Sequence, residues 1–287
     1  TKEQLDVTMN KVRFKELCRK HDVPVVEEFR LDQSLCREDL DTISYPVLLK
    51  PADSSGSRGI VVCKNEEELV RGYGHALASS TSQVVITERF MNTSVPGVNI
   101  DYVICNGKVY LSAVGDLFLY HENKDAAPLS EAVFYPSVRL DEYLQTLDAK
   151  VRKMFESIGL KNGTLYIQSF YDEEGFHFYE MGYRLGGGQS YRMISEINGI
   201  NHLEMLIYHS LTGTMCDNEI ENRINPKFDA VACGLFVLIG PGKICSVRGL
   251  EIVRQIPQVV NVMQVYYEGD SLPQCAEGTT KQVFARL

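Results

Sequence analysis

Asn106-Gly107 stands between two runs of strand-forming residues, Asn99 to Cys105 and Lys108 to Val114. Both turn residues tolerate the positive φ that a two-residue hairpin demands, so the middle of the chain is committed to antiparallel sheet. A second hairpin pairs Gly163 to Tyr171 with Phe176 to Met181 across Asp172-Glu173-Glu174-Gly175. Helical periodicity marks Val7 to Lys20, stopped by Pro24, then Glu66 to Ala78, Asp141 to Ile158 closed by Gly159, and Glu196 to Leu211. Short strands are expected at Val25 to Phe29, Pro46 to Lys50, Ile60 to Cys63 and Val84 to Thr87, with Ser34 to Ile43 a polar connection or helix. Asn225-Pro226 begins a composition shift. Beyond it, strands at Ala230 to Leu238, Val259 to Tyr267 and Gln282 to Leu287 surround a helix near Leu250 to Gln255. The class is α+β, with residues 226–287 expected as a small C-terminal α+β domain.

A formal net charge of −9 on 287 residues argues against a nucleic acid or an anionic membrane as partner, because either repels such a surface on average. No apolar run approaches the roughly 20 residues that span a bilayer, and the chain opens without a signal-like apolar region. A cytoplasmic protein is expected. The start at Thr1, on a helix-like segment and without an initiator Met, suggests a fragment of something longer. Eight cysteines form neither a CxxC nor a Cys/His cluster, so reduced, structural thiols are expected rather than a zinc site or a disulfide framework.

The candidate chemistry begins at Asp53-Ser54-Ser55-Gly56-Ser57-Arg58-Gly59, a loop between two strands. Its glycines allow backbone N–H groups to converge as a nest for phosphates, and Lys50 stands at its entrance. Alone, such a loop is an ordinary turn. Glu180 ends a strand, Arg184 follows four residues later, and Gly186, Gly187 and Gly188 come next. Magnesium bridging phosphates wants a hard oxygen ligand and a transferring phosphoryl group wants a planar cation, so Glu180 and Arg184 fit a metal ligand and a catalytic group. Gln168, on the facing strand of the hairpin, is the second candidate metal ligand. Without context, the same pair reads as an exposed salt bridge.

Taken together, Lys50-Pro51-Ala52-Asp53-Ser54-Ser55-Gly56-Ser57-Arg58-Gly59-Ile60, Thr87-Glu88-Arg89-Phe90-Met91 and Glu180 to Gly188 resemble the ATP-grasp signatures in order and separation. The resemblance covers about residues 7 to 225 and is closest to the branch holding carbamoyl-phosphate synthase-like proteins, biotin carboxylase and L-amino-acid ligases. It implies two α+β lobes holding ATP between them: residues 45–88 as the smaller, 89–225 as the larger, with 1–44 leading in. Segments around Gly242, Gly249, Ile256-Pro257 and Tyr267-Glu268 look like the C-terminal domain of L-amino-acid ligases, which implies a missing Rossmann-like N-terminal domain. By the resemblance, Lys11 and Lys50 touch phosphates, with Ser54, Ser55, Gly56, Ser57 and Gly59 around them. Glu88, Arg89 and Phe90 meet the adenine, and Asn99 falls where a glutamate meets the ribose. Glu180 and Gln168 bind magnesium, for which manganese can substitute, and Arg184 stabilises the phosphoryl group. Two positions depart from the family: Gln168 replaces a usual carboxylate, and Gly182 the asparagine of an E-x-N-x-R pattern.

The implied function is an ADP-forming ligase that joins a small carboxylate to an amine through an acyl phosphate, with amino acids among the candidate substrates and a homodimer as a candidate assembly. Bicarbonate-activating chemistry of the carbamoyl-phosphate synthase or carboxylase kind is one alternative, and an ATP-binding module without turnover, motivated by Gln168 and Gly182, is another. None of the six histidines pairs with another at metal-ligand spacing. Tyr166, Tyr171, Phe176, Phe178 and Tyr179 read as core and sheet surface, and Asp116, His121 and Arg192 are weaker candidates for an acceptor pocket.

Overall fold

The computed structural model describes residues 1–54, 56–91, 94–120, 129–217, 219–277 and 279–287. Asn10 divides the first expected helix in two. Its carboxamide accepts hydrogen bonds from the N–H groups of Val12 and Arg13 while its backbone stays extended, so α1 (Lys2–Met9) ends and α2 (Lys11–Lys20) starts afresh. A four-stranded antiparallel sheet follows, built from β1 (Glu28–Phe29), β2 (Val47–Pro51), β3 (Val61–Cys63) and β4 (Val85–Arg89) in the order β1-β4-β2-β3. The short α3 (Arg37–Leu40) precedes β2, and α4 (Glu66–Ala78) packs Leu69, Tyr73 and Ala76 onto Val47, Leu49 and Cys63 of this sheet. These elements form the smaller lobe.

The larger lobe begins with β5 (Gly97–Cys105), β6 (Lys108–Tyr120) and β7 (Leu129–Tyr135). Asn106 and Gly107 both take positive φ at the first turn, as the hairpin reading requires. Two helices, α5 (Leu140–Thr146) and α6 (Asp148–Ser157), replace the single one expected over 141–158, because Leu147 leaves helical geometry between them. The second hairpin is β8 (Gly163–Asp172) and β9 (Gly175–Gly182). The helix expected over 196–211 is likewise α7 (Ser190–Asn198) and α8 (His202–Thr212), separated by the left-handed Gly199 and restarted by the Asn201 cap. After α9 (Ile220–Arg223) come β10 (Ala232–Leu238), β11 (Gly242–Lys243), α10 (Leu250–Arg254), β12 (Met263–Gln264), β13 (Ser271–Leu272) and β14 (Val283–Arg286).

The tail does not build a sheet apart from the rest. Its strands β10, β14 and β12 extend the larger sheet, whose order is β12-β14-β10-β7-β6-β5-β8-β9; β10 pairs with β7, a strand the sequence reading left out. Among the described residues of the tail, β11 and β13 alone pair apart from that sheet. One face of the large sheet packs Ile100, Tyr102 and Phe178 against Phe14 of α2 and Met154 and Phe155 of α6; the other packs Val103, Tyr110 and Val133 against Ile194 of α7 and residues up to Phe228. The expectation of reduced thiols is corrected at one pair: Cys105 at the end of β5 is bonded to Cys216, with Cα atoms 5.9 Å apart. Residues far apart in sequence, 111 positions here, offer no spacing signal for such a bond. Among the described residues, no helix is long and apolar enough to cross a membrane.

Candidate active site between the two sheets

A cavity of about 450 Å³ lies between the lobes, lined by Lys11, Lys50, Glu180 and Arg184 among others. Antiparallel register sets its floor. Asn99 of β5 is the cross-strand partner of Gln168 on β8, and Gln168 is the partner of Glu180 on β9, so three oxygen-bearing side chains stand abreast. The Gln168 Nε2 donates to Asn99 Oδ1 at 3.1 Å, which directs the amide oxygen of Gln168 away from that bond. Glu180 is half-buried.

The roof carries the lysines. Because Asn10 caps α2, Lys11 is its first residue, and Lys11 Nζ donates to the Ser54 carbonyl at 2.5 Å. Burial pulls the Lys11 ammonium below its ordinary pKa, against the opposing charge of Glu180. Lys50, at 4% exposure, pairs with Glu88 Oε2 at 2.6 Å. The same Glu88 carboxylate binds Lys15 of α2, which is fully buried and also donates to the Val26 carbonyl at 3.2 Å. Burial raises the Glu88 pKa, but Lys50 and Lys15 outweigh it and hold the carboxyl below its usual range. Glu88, which lines the cavity, is therefore also the centre of a buried ion-pair cluster. In the segment expected to meet the adenine, the N–H of Arg89 bonds the Glu27 carbonyl at 3.0 Å and that of Phe90 the Pro46 carbonyl at 3.1 Å. Arg89 extends its side chain toward Asp172 and Glu174 at the β8–β9 turn.

In the phosphate-loop candidate, Ser54, Gly56 and Ser57 line the cavity, with Gly56 and Ser57 at positive φ. Ser54 Oγ closes the loop on the Arg58 carbonyl at 2.9 Å. Ser55 lies outside the described residues, as does His121. Gly59 serves packing instead: at positive φ, it leaves no room for a Cβ beside Ser79 and Pro51. A Cβ on Gly56 would lie 2.9 Å from Thr280 Oγ1, so the loop reaches across to the tail.

Arg184 stacks over the Tyr166 ring, 4.8 Å from its centroid, and donates to the Tyr166 hydroxyl at 2.8 Å. Burial and the nearby Glu180 push that phenol up to about 12. Tyr166 also explains the Gly182 departure, since a side chain there would overlap its ring. The sequence reading placed Tyr166 in the sheet surface; what it lacked was the register that sets residue 166 opposite 182. Asp101 and Arg286 also line the cavity and were not anticipated. Asp116 instead bonds Ser137 and Arg139, and Arg192 bonds Gln189.

What this arrangement can do follows from its charge. In a chain of net −9, Lys11, Lys50 and Arg184 converge on one cleft against Glu180, which suits a polyphosphate, while the oxygens of Glu180 and Gln168 suit a hard cation.

Comparison with known proteins gives likenesses of sequence and of fold. The family described as carbamoyl-phosphate synthase L chain, ATP binding domain, matches residues 10–207. A D-alanine–D-alanine ligase of Natranaerobius thermophilus is 30% identical over 128 residues, 42% of this chain and 33% of that protein. A carbamoyl phosphate synthase large chain of Sulfurisphaera tokodaii is 25% identical over 185 residues, 62% of this chain and 17% of that one. The chain thus spans a third or less of these curated relatives. Among solved structures, an L-amino acid ligase from Bacillus licheniformis superposes with a TM-score of 0.74 at 21% identity, over 99% of this chain and 66% of that one. A biotin carboxylase from Campylobacter jejuni gives 0.72 at 19%, over 99% and 63%. These two likenesses are of fold.

Proposed function

Since the chain belongs to the family of the carbamoyl-phosphate synthase large-chain ATP binding domain, we propose that it transfers the terminal phosphoryl group of ATP to a substrate carboxylate, releasing ADP, and that an amine then attacks the acyl carbon, forming the amide and displacing inorganic phosphate. The observation that carries this reading is the row Asn99–Gln168–Glu180, facing Lys11 and Lys50 across one cleft. Lys11 and Lys50 hold the phosphates, and the backbone of Ser54, Gly56 and Ser57 closes over them. Glu180 and Gln168 would hold magnesium, which would supply positive charge beside the phosphates. Asn99 is placed for the ribose. Arg184, braced on Tyr166, is aimed at the oxygens of the transferring group, where charge develops. Closure of the Ser54 to Gly59 loop toward Thr280 excludes the water that would hydrolyse an acyl phosphate.

Phosphate release from ATP tests the proposal, with magnesium and a panel of carboxylates, amines and bicarbonate, and hydroxylamine as a trap. A ligase releases phosphate in the presence of carboxylate and amine and yields a hydroxamate when hydroxylamine replaces the amine. Release with bicarbonate alone favours carboxylase-like chemistry, to which the carbamoyl phosphate synthase relatives point. Tight nucleotide binding without release under any condition defeats the catalytic reading.

A further inference from the structure

Besides Glu180 and Arg184, the cavity is lined by Leu117, Leu119, Val133 and Phe236, an apolar wall that makes this part of it a bay of different character. An acid, Asp101, and a base, Arg286, also line this cavity, and neither has a partner of opposite charge among the described residues. Asp101, two residues past Asn99 on β5, is 4% exposed. It accepts hydrogen bonds from Ser190 Oγ at 3.0 Å and from the Tyr135 hydroxyl at 3.4 Å. No cation offsets its burial, which pushes its carboxyl up to about 7. Arg286, on β14, has a buried Nε without a hydrogen-bond partner, and its fork meets only the Met263 sulfur at 4.0 Å. Burial lowers its pKa, with no carboxylate to raise it.

One short loop ties the two together. Ser190 bonds Asp101, Gln189 donates to Met263 beside Arg286, and Gly188 lies against the Phe236 ring. Asp101 is the end nearer the chemistry, since its cross-strand partner is Tyr166, the residue that braces Arg184. Unpaired charges in a site of low dielectric are costly unless a ligand brings their complements.

We propose that this bay binds the amine substrate of the ligation as a dipolar, amino-acid-like molecule: Asp101 accepts hydrogen bonds from its ammonium, Arg286 takes its carboxylate, and the apolar wall covers its side chain. The inference rests on the ligase reading for the identity of the amine as substrate, but the binding site can be tested without turnover.

Calorimetry on the protein loaded with magnesium and β,γ-imido-ATP would use three probes: L-leucine, L-leucinamide, which lacks the carboxylate, and 4-methylpentanoate, which lacks the ammonium. The native protein should bind leucine roughly ten- to a hundredfold tighter than either analogue, the range expected for a charge-assisted contact. Arg286→Met should equalise leucine and leucinamide while sparing the preference over 4-methylpentanoate; Arg286→Lys should restore part of the difference. Asp101→Asn, nearly isosteric, should equalise leucine and 4-methylpentanoate alone. Equal binding of all three probes by the native protein, no binding of any, or a uniform loss in both variants overturns the inference. Phosphate release with the same probes separates it from the ligase reading. Selective binding without release leaves the dipolar site standing and removes the ligase, whereas release indifferent to both groups does the reverse.

Discussion

Glu88 divides one carboxylate between two buried ammonium groups, and the arrangement decides how Lys50 meets a nucleotide. Removing Lys15 leaves Glu88 with a single partner and draws Lys50 more firmly onto it. Breaking a buried pair from one side costs roughly 3–5 kcal/mol. Lys15→Met should therefore lower stability by that order in urea unfolding and weaken ATP binding as well. Adding Glu88→Gln should recover much of both losses, because the lysine is then no longer needed to neutralise a charge. A double variant as unstable as Lys15→Met alone would show that Lys15 acts by packing. Gly182 makes a simpler case. A methyl group there meets the Tyr166 ring, so Gly182→Ala should cost about 1–3 kcal/mol, the usual range for overpacking. In a Tyr166→Ala background the same substitution should be nearly neutral, and a double-mutant cycle of melting curves measures the coupling.

At the level of elements, the Asn10 cap is what turns Lys11 toward Ser54. Asn10→Ala should cost about 1 kcal/mol of stability and raise the ATP dissociation constant, while leaving the Glu180 end untouched; unchanged nucleotide affinity in a destabilised variant would separate the cap from the site. Asn10 also shows where sequence reasoning stops. Apolar periodicity runs through residues 7–20, and only the backbone reveals that a carboxamide ends one helix and starts another. The two hairpins were legible because Asn106-Gly107 and Gly175 fix their turns locally. With them came the placing of Gln168 beside Glu180. Strand β7 was not legible, and neither was the continuation of the sheet into β10 and β14, since β10 joins β7 from about a hundred residues away and β14 joins β10 from about fifty. Asp101 and Arg286 escaped for the same reason: nothing local distinguishes an unpaired group facing a cavity from one on the surface. Glu88 was legible as a cavity residue but its ion pair with Lys15 was not, because α2 supplies that lysine from 73 positions away.

For the whole molecule, two buried groups give stability opposite dependences on pH. Folded Asp101 keeps its proton up to about 7, whereas an unfolded aspartate releases it near 3.9. The folded state thus binds the extra proton, and stability falls as pH rises through that window, by about 1.4 kcal/mol per pH unit. His202, buried against Ser112, stays neutral down to about 4, whereas an unfolded histidine is protonated below about 6.5. Here the unfolded state binds the proton, so stability rises with pH over a similar range and the two slopes nearly cancel. Asp101→Asn removes one of them. Relative to the native protein, this variant should gain roughly 2–3 kcal/mol between pH 4.5 and 6.5 in denaturant titrations, and a constant difference would place the Asp101 titration outside that range.

The chain passes between the sheets in two places. It runs from β4 to β5, and also from Pro24–Val26 to β1, where the N–H of Val26 bonds the Phe178 carbonyl at 3.2 Å and the N–H of Phe178 bonds that of Pro24 at 2.9 Å. A flap hung from one strap can twist and slide. Hung from two, it swings like a door about the line through both, so opening and shutting over the nucleotide reduces to one angle. Sideways travel of Lys50 relative to Glu180 is then suppressed by connectivity alone.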